Sequence, residues 1–164
     1  MSAPTAYAAA LRLVLDLAEA PLKRLTALNA LIDARDLDPQ LREIVTALAA
    51  LYGTLIELQA GRSTDAATTV LRRNLAQHAA DRAPQHVVLA TRLTIASLER
   101  DAGEIESTLG TLSVAETAAV GLQLAIGHVM THQSRFGPSS VRRLRDDLAR
   151  AIAAAQGGTP PSTH

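Results

Sequence analysis

Alanine and leucine fill 57 of the 164 positions of this chain, whereas Phe, Tyr and Trp together fill three: Tyr7, Tyr52 and Phe136. This imbalance constrains the fold more than any other feature. Ala and Leu are strong helix formers that lose little side-chain freedom in a helix. The β-branched and aromatic residues that sheets favour are spread too thinly to build one. The reading is all-α, a compact antiparallel helical bundle of about seven to eight helices.

An apolar content of 48% suits one domain with a true core, since a chain of about 150 residues buries roughly two-thirds of its unfolded surface. We expect one helical domain over 1–156. The closing Gly-Gly-Thr-Pro-Pro-Ser-Thr-His has no periodicity and reads as a disordered tail over 157–164. Sixteen basic residues balance sixteen acidic ones, so the whole molecule makes no electrostatic case for nucleic acid or an anionic membrane. Without cysteine there are no disulfides, thiol nucleophiles, iron–sulfur clusters or thiolate zinc sites. Residues 1–20 lack a basic leader region, and Arg12, Asp16 and Glu19 interrupt their apolar stretch, which argues against a signal peptide. The longest uncharged run, Thr117 to Ser134, holds Gln123, His128, His132 and Gln133, and reads as a buried helix rather than a membrane span. The expected setting is cytoplasmic, with no membrane partner.

Cap and turn signals divide the body. A first helix covers Thr5 to Ala20, and a second runs from Pro21 or Leu22 to Arg35. Asp38-Pro39 opens a third, with Leu41, Ile44/Val45, Leu48, Leu51/Tyr52, Leu55 and Leu58 at three- and four-residue steps up to Gly61. Ser63 or Thr64 caps a fourth, Pro84 opens a fifth, and Gly103 and Gly110 bracket a short sixth. A seventh runs from Ser113 to Arg135, Gly137-Pro138 breaks the chain, and the last covers Ser139 to Ala155. The stretch Leu51 to Gln77, with Leu51-Tyr52-Gly53, Gly61, Ala66 and Ala67, resembles a tetratricopeptide hairpin. That resemblance implies an alternative fold, a short array of TPR-like helical hairpins.

Four groups carry potential chemistry. His128 and His132 share a helix face at i, i+4, the spacing of a two-histidine metal site. The residues between them are Val-Met-Thr, so the glutamate base of a zincin is missing, and no third ligand is nominated. No metal and no cofactor are expected. Ser113 and Glu116 have capping-box spacing. The same stretch, Leu112 to Leu122, resembles the first helix and turn of a bacterial helix-turn-helix, with Gly121 at the turn. Arg135, Arg142, Arg143 and Arg145 form the densest basic cluster and are the candidate contacts for an anion or nucleic acid. Asp146 and Asp147 stand three and four residues beyond Arg142 and Arg143, which predicts intrahelical ion pairs.

No catalytic grouping emerges. The expectation is a non-catalytic, self-associating protein–protein interaction module with a regulatory role, whose partner is itself or another protein. Its seam falls on the third and seventh helices, at Leu48, Tyr52, Leu55, Ala118, Leu122 and Ile126. The alternatives are a DNA-binding regulator using 113–150, and a bundle that binds a metal or small molecule in its core.

Overall fold

Capping chemistry sets the helix boundaries in the computed structural model, which describes residues 2–20 and 38–157. The helices are α1 (Ala3–Glu19), α2 (Asp38–Gln59), α3 (Thr64–Ala80), α4 (Gln85–Leu98), α5 (Ala102–Gly110), α6 (Val114–Phe136) and α7 (Ser140–Ala155), with a 3-10 turn, Gly137–Ser139, before α7. There is no strand among the described residues, so the fold is all-α. Among the described residues six helices of 14 to 23 residues pack together, against the seven to eight expected for the whole chain, and the nine-residue α5 connects two of them. The helix expected up to Arg35 and residues 158–164 of the tail lie outside the described residues.

Three N-termini, those of α3, α5 and α6, are held by side-chain caps. The Ser63 hydroxyl accepts from the Ala66 N–H at 3.1 Å, and the Asp101 carboxylate accepts from the Glu104 N–H at 2.9 Å. At α6 the capping box is complete. The Ser113 hydroxyl accepts from the Glu116 N–H, while the Glu116 carboxylate accepts from the Ser113 N–H. Five C-termini run into positive-φ backbone: Gly61 (φ +70°) and Arg62 (φ 64°) after α2, Gly137 (φ +53°) after α6, Gly157 (φ +73°) after α7, and arginines after α3 and α4, at Arg82 (φ 53°) and Arg100 (φ 57°). Bonds spanning five residues, Ala83 N–H to the His78 carbonyl and Asp101 N–H to the Ala96 carbonyl, close both turns.

The packing order differs from the chain order. The dominant pairs are α2 with α6 and α1 with α7, and α2 also packs on α1 and α4. Short connections were expected to make successive helices antiparallel neighbours. Instead Gln40–Gln59 and Thr64–Ala80 turn through 109°, which swings α3 away from α2 and onto α4. This bend replaces the stacked hairpins of the tetratricopeptide alternative. No single helix among the described residues is long and apolar enough to cross a membrane.

Leu11 and Val14 of α1, Leu41, Val45 and Leu48 of α2, Leu93 of α4, Val120 and Leu124 of α6 and Leu144 of α7 are at most 1% exposed. Each such side chain contributes about 1.5–3 kcal/mol through burial. Small residues set the helix spacing. The Tyr52 ring lies so near Gly127 that a Cβ there would stand 3.1–3.3 Å from its atoms, and Leu98 crowds Gly53 to 3.2 Å in the same way. Two buried hydroxyls are satisfied locally: Thr94 donates to the Ala90 carbonyl at 2.8 Å and Thr117 to the Ser113 carbonyl at 2.9 Å.

Candidate ligand-binding cavity

Four helices each bring one row of side chains to a cavity of about 320 Å³. α1 supplies Tyr7 and Leu11, one turn apart. α2 supplies Leu51, Thr54, Leu55 and Leu58, the three- and four-residue steps of a single face. α6 supplies His128, His132 and Phe136, and α7 supplies Arg143, Asp146, Asp147 and Arg150. The leucines make one apolar wall, and the α7 row makes a wall of mixed charge. The volume lies near the lower end of the ligand-pocket range of roughly 300–1,000 Å³.

The i, i+4, i+8 spacing on α6 stacks its three rings. His128 and His132 lie with centroids 5.7 Å apart and planes at 21°, and His132 meets Phe136 at 4.5 Å and 53°. Guanidinium groups cover Phe136, with Arg143 at 4.6 Å and Arg135 at 5.5 Å from its centroid.

The two histidines differ in their bonding. His132 Nδ1 pairs with the Ser140 hydroxyl at 2.7 Å, and that bond ties α6 to the start of α7 across the 3-10 turn. Ser140 is 2% exposed, too enclosed to serve as a nucleophile. His128 is 5% exposed and its Nδ1 has no hydrogen-bond partner. Burial pushes the His128 imidazole down to about 4, the His132 charge acts in the same direction, and a backbone hydrogen bond at Leu51 opposes both. His128 is therefore neutral at physiological pH. Burial also lowers His132, against the charge of Asp147 and with that of Arg143. Tyr7 is raised, first by burial and then by Asp147, while Arg150 acts the other way.

The metal reading finds no support in the donor set. Ser140 engages His132 Nδ1, and among the described residues no group of three or more His, Cys, Asp or Glu is placed to hold an ion. The expected arginine cluster is split: Arg135 and Arg143 converge on Phe136, Arg142 is exposed, and Arg145 turns to α1. Arg145 bonds Glu19 of α1 at 2.6 Å, Arg150 pairs with Asp147, and Arg143 covers Phe136 while reaching the Ser139 hydroxyl at 3.4 Å. The intrahelical pairs expected from Arg142 and Arg143 to Asp146 and Asp147 do not form; Asp147 takes Arg150 instead. The helix-turn-helix reading is corrected as well. α6 runs without a break through Gly121, which is buried mid-helix, so there is no turn between two helices.

Of the expected seam, Leu48 and Ala118 are fully buried and Leu55 is 5% exposed, so the chain covers them itself. Tyr52, Leu122 and Ile126 are half-buried against the same core. α2 and α6 are each other's partner within one chain. Sequence reasoning had paired His128 with His132 but missed Tyr7 and the α7 row as their companions. The spacing 143, 146, 147, 150 marked one face of α7, yet nothing local tied that face to α6. A second cleft, about 570 Å³, lies between α1, α2 and α5 and is walled largely by Ala3, Ala6, Ala47, Ala50 and Ile105; no histidine lines it.

No family model, curated protein or solved structure matches this chain.

Proposed function

We propose that this protein is a non-catalytic helical bundle that binds a small molecule in the cavity between α1, α2, α6 and α7. The observation that carries this reading is the convergence of four helices on one space of about 320 Å³, where Leu11, Leu51 and Leu55 supply an apolar side and Tyr7, His128 and His132 bring polar groups. Apolar walls with a few convergent polar groups are the usual design of a small-molecule site.

A fragment titration followed by amide NMR tests the reading. Binding should shift resonances at Tyr7, Leu51, Leu55 and His128, and Thr54→Phe, which fills the cavity at an exposed position, should abolish those shifts. Shifts scattered over the surface, or unchanged in the filled variant, would overturn it.

A second reading, self-association as an interaction module, is favoured by Met130. This side chain is 62% exposed and continues the half-buried row Leu122, Ile126 one turn on. Light scattering on the wild type and on Met130→Glu tests it. A dimer that the substitution dissociates supports the reading, and a monomer at all concentrations removes it.

A further inference from the structure

A helix at the surface of a globular protein usually carries charge on the side that meets water. α6 departs from this. Between Glu116 in its first turn and Arg135 in its last it has no Asp, Glu, Lys or Arg. Its two histidines line the cavity and are 5% and 4% exposed. The outward side is a single row. At 3.6 residues per turn, Ala119, Leu122, Met130 and Gln133 all lie within about 40° of the line through Ile126. Ala119, Leu122 and Ile126 are half-buried, Gln133 is exposed, and Met130 is the most exposed large apolar side chain described.

Three properties of this row fit a second copy of the same chain. The spacing is symmetric: Leu122 and Met130 stand four residues either side of Ile126. A two-fold axis through Ile126 therefore sets Leu122 of each copy against Met130 of the other, and buries all three side chains at once. The row is uncharged, so no side chain near the axis meets its own like charge. The ends are complementary. With the two helices antiparallel, the acidic end at Glu116 lies beside the basic end of the other copy, and the helix dipoles oppose. A parallel pair brings like ends together. Sixteen basic and sixteen acidic residues leave no net charge to hold two chains apart. We infer that two copies pair through antiparallel α6 helices, with the axis at Ile126 and Leu122 of one copy packed on Met130 of the other. This pairing presupposes self-association and adds its orientation and register.

The chain has no cysteine, so an introduced thiol is the only one present. A disulfide needs Cα atoms within about 7 Å. In the antiparallel pair, position 122 lies about 12 Å along the axis from its own copy, and so does position 130. Under mild oxidation Ile126→Cys should therefore link to itself. Leu122→Cys and Met130→Cys should each stay at the level of Ala79→Cys, a collision control at an exposed position of α3, and should link when the two are mixed. Strong self-linking at 122 and 130, or no mixed link in a dimer, overturns the orientation and register and leaves self-association standing. A wild type that is monomeric at all concentrations in light scattering overturns both. A second measurement needs no thiol. Leu122→Lys and Met130→Glu should each weaken the dimer about ten-fold or more, and the double variant should regain most of that loss, because only the antiparallel register sets the two new charges against each other. A double variant as weak as the singles overturns the pairing.

Discussion

Acidification should destabilise this protein through His128, by an amount that follows from its burial. An unfolded histidine titrates near 6.5. In the folded chain, burial and the neighbouring His132 hold His128 at about 4. Between these two values the unfolded chain takes up a proton that the folded chain refuses. Stability is therefore full above pH 6.5, declines as pH falls, and levels off below about 4. With about 1.36 kcal/mol for a pKa gap of one, the whole loss is about 3 kcal/mol, and about 2 kcal/mol of it is reached by pH 5. That is a large share of a typical 5–15 kcal/mol. The other groups lining the cavity are His132 on α6, Tyr7 on α1, and Arg143, Asp146, Asp147 and Arg150 on α7. Only His132 has an ordinary titration within pH 5 to 7.5, and its lowered value acts in the same direction. Urea unfolding across that interval, on the wild type, His128→Gln and His132→Gln, separates them. The wild type should lose about 2 kcal/mol or somewhat more, His128→Gln should lose most of that slope, and His132→Gln should keep the larger part of it. A flat wild type, or a His128→Gln variant as steep as the wild type, would refute the buried neutral imidazole.

Gly127→Ala should destabilise by about 1–2 kcal/mol in chemical unfolding, because overpacking against the Tyr52 ring outweighs the helix gain of alanine. The sign should reverse in a Tyr52→Ala background, and a cost that persists there would refute the contact. Arg100→Gly should stabilise by roughly 0.5–1 kcal/mol in the same assay, since it relieves a left-handed arginine at φ 57°. Ser113→Ala should cost about 1 kcal/mol by removing the α6 cap. In that variant the Glu116 carboxyl, now held low by hydrogen bonds from the Ser113 backbone and hydroxyl, should titrate closer to its ordinary value by NMR.

Helix boundaries were legible because their causes are local. Ser63, the Ser113–Glu116 box and Gly137-Pro138 each act within four residues, and each marks an end that the structure has. The pairing of helices was not legible, for the reason that made the fold class plain. An Ala/Leu stripe fits almost any other such stripe, so periodicity shows that a face is buried but not against which neighbour. The broad apolar faces of α2 and α6 pack on each other inside one chain, and periodicity alone did not distinguish that arrangement from a seam between molecules. The specific marks were small: Gly127, which admits the Tyr52 ring, and Gly53, which admits Leu98. The cavity was hidden for the same reason. His128 and His132 declare themselves by spacing, but Tyr7 and Asp147 reach them only through long-range packing.

The ion pair between Arg145 and Glu19 joins residues 126 positions apart, and the α1–α7 pairing around it forms two walls of the cavity. Contacts so distant in the chain carry the greatest loop-closure cost and tend to form late, after the local α3–α4–α5 packing. An occupant touching all four helices would then act as a clasp on the longest loop in the fold. It would bind only the closed chain, so its concentration would govern how often α1 and α7 separate. On that footing, occupancy would be written into the protein's lifetime against proteolysis, and cellular abundance could report the ligand without any change of shape.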